Sequence, residues 1–247
     1  MKKGADMMKM MTFLRTSLLL VMAVVLCSSF VLVGKGYQVY KEAESQTSLA
    51  EKVEEIQGKD TFTSMEDLPE TYVNAVVAVE DKRFFSHSGI DFLAVGRALL
   101  HDIQAGRYVE GGSTITQQLA KNLYFSQEKQ LTRKIAEVFV ALDLEKHYSK
   151  DEIFELYVNS IYFGDGYYGI GSASQGYFEK DPAEMSEYES TLLAGVPNAP
   201  SRYAPSKHLE LAEKRQLQVL RRMEACGYYS KEEAETVAET AALALAN

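Results

Sequence analysis

Residues 16–34 carry no charged side chain and are mostly Leu, Val, Ala, Met and Phe. Roughly 20 apolar residues, rising about 1.5 Å each as a helix, span a bilayer core of about 30 Å. No other feature restricts the chain as much, because it takes one segment out of water before any fold is considered. Lys2, Lys3, Lys9 and Arg15 precede the run, opposed only by Asp6. This bias predicts a cytoplasmic N-terminus and an extracytoplasmic remainder. The rival is a cleaved signal peptide, but the run is long for one and no small-x-small cleavage site follows it. Bulky Leu26 before Cys27 argues against a lipoprotein signal. The expected order is a cytoplasmic tail at 1–15, a single-pass signal anchor at 16–34, a polar segment at 35–60 and one main domain at 61–247. The polar segment, rich in Glu, Lys and Gln, reads as either a helical stalk or a flexible linker.

At 46% apolar and 25% charged residues the chain is globular in composition rather than disordered. Its net charge of −9 argues against a nucleic-acid partner. The charge is unevenly spread, with ten Lys/Arg against seven Asp/Glu between positions 82 and 150. A basic stretch in an acidic protein suits an anionic ligand, although a solvated face looks the same. Cys27 in the apolar run and Cys226 near the far end predict neither a disulfide nor a metal site.

Beyond residue 60 the pattern is helical. Ile135, Val138, Phe139 and Leu142 recur on one face of a helix over 131–148. Ser149 with Glu152, Ser186 with Glu189, and Ser230 with Glu233 each read as a capping box opening a helix. Glycine recurs over 164–171 and ends the helix that Ser149 opens. Pro197, Pro200 and Pro205 predict an extended connection, and 211–223 is helix-periodic again. Residues 72–79, rich in valine, suit a strand by propensity, yet helix is the preferred reading. The expected class is all-α or nearly so.

Three clusters carry chemistry. The first is Glu80-Asp81-Lys82-Arg83-Phe84-Phe85-Ser86-His87-Ser88-Gly89, in which aromatics can desolvate a carboxyl and make it a useful base. Alone it also reads as a helix end with surface ion pairs. The second is Gly111-Gly112-Ser113-Thr114-Ile115-Thr116-Gln117-Gln118-Leu119-Ala120-Lys121-Asn122. Its glycine turn, hydroxyls and Lys121 at a helix start can hold a phosphate, although a plain capped helix start is the commoner use. The P-loop pattern is absent. The third, Arg133-Lys134-Ile135-Ala136-Glu137, sets Arg133 and Glu137 four apart, as an ordinary surface ion pair also does.

In this order and spacing the clusters resemble the peptidoglycan glycosyltransferases, which occur as monofunctional enzymes and as the first domain of class A penicillin-binding proteins. The family's E-D-x-x-F-x-x-H-x-G is met at 80–89, G-x-S-T-x-x-Q-Q-x-x-K-N at 111–122 and R-K-x-x-E at 133–137. A fourth motif resembles 150–159, ending Glu155-Leu156-Tyr157-Val158-Asn159, with Val158 where leucine is usual. Arg215, Val219 and Leu220 meet a fifth, R-x-x-x-V-L. The likeness covers roughly 62–237. Gly171 stands where the family often has Glu, and Glu179 where it often has Gly, which puts local loop shape in doubt. Ser126 and Lys129 match S-x-x-K, but without a K-T-G partner the match is coincidental.

The resemblance implies a mostly all-α, lysozyme-like globular lobe with a smaller membrane-associated lobe around 84–124, so that 61–247 is the glycosyltransferase domain. It implies inverting transfer of the growing glycan from polyprenyl pyrophosphate to the 4-hydroxyl of an acceptor lipid II. Glu80 would be the base. Glu137, the second important carboxylate, would orient Arg133 or Lys134 or hold a divalent cation. Lys121, Lys129 and Arg133 would meet the pyrophosphate, with Asp81, Ser113, Thr114, Gln117, Gln118 and Lys134 in the same site. His87 reads as structural. No cofactor is required by the sequence, and a Mg or Mn ion on the pyrophosphate is compatible with it. The implied partners are lipid II, the growing glycan and the membrane, with penicillin-binding transpeptidases or other wall-synthesis proteins as further candidates. Phe84, Phe85, Phe92 and Leu93 either dip into the bilayer surface or pack in the core. A glycan hydrolase and a non-catalytic scaffold are the rivals. The cations argue against the first, since a neutral glycan needs no pyrophosphate cradle, and the intact carboxylates against the second.

Overall fold

The computed structural model describes residues 2–106, 111–125 and 130–244. Among them there is no strand, only an isolated bridge between Tyr162 and Tyr168. The helices are α1 (Lys2–Gln46), α2 (Leu49–Gln57), α3 (Glu70–Glu80), α4 (Phe92–Ala105), α5 (Ile115–Tyr124), α6 (Leu131–His147), α7 (Lys150–Ser160), α8 (Ile170–Phe178), α9 (Glu187–Gly195), α10 (Pro200–Tyr203), α11 (Pro205–Cys226) and α12 (Lys231–Ala244). The all-helical class read from the sequence is the class adopted.

Helix α1 is long and apolar enough over Met10–Gln46 to cross a membrane, by length and composition. Its helix does not stop where the apolar run stops. It continues through residues 35–46, the first part of the polar segment. This stretch lies along α6. Tyr37 meets the Phe139 ring edge-on at 5.2 Å, Tyr40 stacks on it at 6.0 Å, and the Tyr40 hydroxyl donates to Asp143 Oδ2. Gly36 is buried at the crossing, where a Cβ would lie 2.4 Å from Ile135 Cγ2. A close helix crossing of this kind requires glycine.

This contact explains a departure in α6. The predicted face of Ile135, Val138, Phe139 and Leu142 is not the deepest one, and Leu142 is 44% exposed. Ala136, Val140, Ala141 and Leu144 enter the core instead. Two apolar stripes coexist on α6, one for the core and one that includes the seat of α1. Periodicity alone does not rank them.

Valine-rich α3 is helical because it is buried nearly all round, with Tyr72, Val73, Ala75, Val76, Val77 and Ala78 in the core. Tertiary burial overrides strand propensity there. Helix α3 packs on α9 and α11, and α5 packs on α6 and α7. One core joins both groups. The capping boxes of Ser149 and Ser186 form as read, and Ser230 makes the same reciprocal bonds with Glu233.

The three prolines do not mark an extended connection. Pro197 lies in the first turn of a 3-10 helix, and Pro200 and Pro205 lie in the first turns of α10 and α11. A proline's missing N–H costs nothing in a first turn, and its φ is already helical. Non-helical backbone at His208 kinks α11, so its regular run begins close to residue 211, as the periodicity predicts. Cys27 and Cys226 are both free.

Candidate active site

Glu80 is the last residue of α3, and a cleft of about 490 Å³ opens beside it. The walls come from the end of α3, from α4, from the glycine turn before α5 and from α11. Glu80 Oε2 accepts a hydrogen bond from Gln118 Nε2 at 2.8 Å. Burial pushes the Glu80 carboxyl above the usual carboxylate range, and adjacent Asp81 pushes the same way. The Gln118 hydrogen bond and the Arg215 charge pull it back down. A carboxyl poised like this is partly desolvated yet held in its charged form by a donor and a cation, which suits a base working near neutral pH.

The neighbouring motif residues build the frame. Asp81 is buried, and its Oδ2 accepts the Ile115 N–H at 3.1 Å and faces His87 Nε2 at 2.8 Å. It ties the end of α3 to the start of α5. Thr114 caps α5 in a reciprocal box with Gln117, and its hydroxyl donates to the Gly89 carbonyl at 2.7 Å. Gln117 is buried and committed to that box, and it is not among the cleft-lining residues. Arg83 makes a two-pronged ion pair with Asp91, which caps α4 through the Ala94 N–H. The Arg83 guanidinium pulls the Asp91 carboxyl down to about 2.

Glu137 is 1% exposed and sits 2.9 Å from Lys134 Nζ and 3.4 Å from Arg133 Nε. Lys134 Nζ also donates to Ser113 Oγ at 2.8 Å, and Ser113 lines the cleft. Glu137 is therefore engaged by two cations and is not among the cleft-lining residues. Lys121 lies on α5, three residues beyond Gln118. Lys129 lies outside the described residues. Among the described residues no group of three or more His, Cys, Asp and Glu side chains has metal-site spacing.

Several cleft residues have no role assigned from the sequence. Lys82, Arg97, His101, Asn198 and Arg222 line it, as does Arg215, which had a motif match but no assigned role. Arg97 and His101 are four apart on α4, and Arg215 and Arg222 are seven apart on α11. That helical spacing was the available signal. Arg97, Arg215 and Arg222 come from α4 and α11, whereas Lys121, Arg133 and Lys134 of α5 and α6, named from the motifs, are not among the cleft-lining residues. Gly195 makes room for one of them, since a Cβ there would lie 2.9 Å from Arg215 Cγ.

Helix α4 buries only Ala98. Phe92 is 77% exposed and Leu93 67%, and Val95, Leu99, Leu100 and Ile103 are exposed beside them. Phe85 is exposed as well, whereas Phe84 is wholly buried against Phe154. Of the four residues left open between bilayer and core, Phe84 belongs to the core.

Residues 46–224 match the family model described as Transglycosylase. This chain belongs to that family. The transglycosylase match takes in every motif above. The chain is 47% identical over 173 residues to penicillin-binding protein 1F of Bacillus subtilis, covering 70% of this chain and 24% of that one. It is 47% identical over 177 residues to penicillin-binding protein 1A of Aquifex aeolicus, covering 72% and 24%. It is 49% identical over 162 residues to penicillin-binding protein 1A of Neisseria cinerea, covering 66% and 20%. The chain spans about a quarter or less of the length of these curated relatives.

Proposed function

We propose that this transglycosylase polymerises lipid II into peptidoglycan glycan strands at the outer face of the cytoplasmic membrane, anchored by α1 with its N-terminus inside. The observation that carries the reading is Glu80, a desolvated carboxyl held by Gln118 and Arg215 in a cleft lined by further cations. Glu80 takes the proton from the acceptor 4-hydroxyl as that oxygen attacks the anomeric carbon of the growing chain. The new C–O bond forms on the face opposite the breaking bond to pyrophosphate, so the centre inverts. A positioned base contributes about 10²- to 10⁴-fold. The pyrophosphate leaves with growing negative charge and needs cations more than a proton donor.

Two lipid pyrophosphates must be near the site at once, one on the donor and one on the acceptor. Two sets of cations suit that requirement: Lys121, Lys134 and Arg133, with Ser113 and Thr114, serve one pyrophosphate, and Arg97, Arg215 and Arg222 serve the other. The exposed apolar face of α4 meets the bilayer, where the lipid tails remain. A divalent ion such as Mg or Mn, where used, arrives on the pyrophosphate and not in a protein cage. Asp81, Asp91 and Glu137 support this, because each is already engaged by hydrogen bonds or ion pairs. Transpeptidases and other wall-synthesis proteins fit as partners on the same grounds of family and membrane location.

The test is incubation of the detergent-solubilised full chain with purified lipid II. Long glycan supports the reading. Failure of a folded protein to polymerise, with and without divalent ions, moves the assignment to a scaffold, and degradation of preformed glycan moves it to a hydrolase.

A further inference from the structure

Behind Gln118 lies a second contact in the same line. The Tyr157 hydroxyl donates to Gln118 Oε1 at 3.2 Å, while Gln118 Nε2 donates to Glu80 Oε2 at 2.8 Å. Tyr157 comes from α7 and is wholly buried, and Gln118 from α5 is half-buried. A primary amide has one acceptor end and one donor end. Whatever fixes the acceptor end decides which end faces Glu80.

We propose that Tyr157 is a positioning residue that, through the Gln118 amide, holds Glu80 as an ionised carboxylate ready to accept a proton. The proposal rests on the reading of Glu80 as the base. If the amide turned over, its oxygen would face Glu80, an arrangement that only a protonated carboxyl satisfies. The Tyr157 oxygen would then accept from Nε2, but its own proton would lose its acceptor inside the core. A buried donor without a partner is costly. The phenol thus penalises the protonated, inactive form of the site. Burial keeps Tyr157 itself neutral, because it raises the phenol well above its ordinary value, with Glu80 adding to the effect. Its proton is therefore present across the working pH range.

Tyr72 supplies an internal control. It is equally buried, interacts electrostatically with Glu80, and its hydroxyl has no hydrogen-bond partner among the described residues. The charged or titratable groups facing Glu80 are Asp81 and Tyr72 from α3 and its end, Tyr157 from α7 and Arg215 from α11. Lys82, Asp91, Arg97, His101 and Arg222 line the same cleft.

The experiment is the pH profile of kcat/KM for lipid II polymerisation by the full chain, whose acid limb reports the base in the free enzyme. Tyr157→Phe should move that limb upward by about half to one pH unit, the scale of a weakened hydrogen bond to a charged group. The rates of the two proteins should converge at alkaline pH. Gln118→Leu should move the limb the same way, and Tyr157→Phe should add nothing in the Gln118→Leu background. Tyr72→Phe should leave the limb where it is. An unshifted limb, or an equal loss at every pH, overturns the proposal and leaves Tyr157 a packing residue. A further shift in the double variant overturns the route through Gln118. Should Tyr157→Phe fail to fold, an unshifted limb in Gln118→Leu alone is sufficient to overturn it. Glu80→Gln separates the two claims. If it remains active, the base assignment fails. If it is inactive while the Tyr157→Phe limb stays put, only the positioning role fails.

Discussion

Asp81 Oδ2 accepts the backbone N–H of Ile115 at 3.1 Å, so one carboxylate oxygen joins the first sequence motif to the second. The same oxygen faces His87 Nε2 at 2.8 Å. Asp81 follows Glu80 in the chain, lines the cleft and ties the end of α3 to the start of α5. Asp81→Ala removes the oxygen on which both contacts converge and leaves the Ile115 N–H without its carboxylate partner. Stability should fall by about 1–3 kcal/mol, the cost of an unmade buried hydrogen bond. Urea unfolding of the full chain in detergent measures it.

Glu80 makes the fold less stable at neutral pH. Its carboxyl titrates above the ordinary value because burial disfavours the charge. Between the ordinary value and the raised one, the folded state holds more protons than the unfolded state, so stability falls as pH rises. Glu80→Gln should therefore stabilise the protein at neutral pH by about 0.5–2 kcal/mol, as relief of a strained functional group commonly does. The gain should disappear as pH drops below the ordinary carboxyl range, where both states are protonated. Thermal midpoints across pH give the answer, and a gain independent of pH would contradict it.

Glu179 closes α8 with φ of +57°, in the left-handed region. Glycine takes this conformation without strain, whereas a side chain rarely does. Glu179→Gly should raise stability by about 0.5–1 kcal/mol and leave polymerisation unchanged. The other departure is equally physical. A Cβ on Gly171 would lie 2.2 Å from the Thr61 carbonyl oxygen, so this chain has no room for a side chain at that position.

Gly36→Ala should loosen α1 from α6, since its Cβ would overlap Ile135 and overpacking typically costs about 1–3 kcal/mol. The expected signature is easier proteolysis near residue 47 with unchanged membrane insertion. Equal protease resistance in both proteins would mean that the crossing does not hold the domain.

Much of this was legible in the sequence because the signals are local. Capping boxes form from residues three apart, and they appear where Ser149, Ser186 and Ser230 predict them. The motif residues Glu80, Asp81, Ser113, Thr114 and Gln118 do line one cleft. What the sequence did not reveal depends on contacts between distant segments. Gln117 reads like Gln118, yet one closes a helix cap and the other reaches Glu80, and only the helix start decides which. Arg97 and Arg222 look like ordinary surface cations until α4 and α11 are brought to the same cleft. The stripe on α6 is apolar because α1 lies on it, which no local pattern announces.

On the proposed function, Glu80 removes the acceptor proton. The most direct measurement compares wild type and Glu80→Gln for lipid II polymerisation and, separately, for lipid II binding. Similar binding and a loss of polymerisation of about 10²-fold or more are expected in Glu80→Gln. Polymerisation within a few-fold of wild type by a Glu80→Gln protein that binds normally would contradict it.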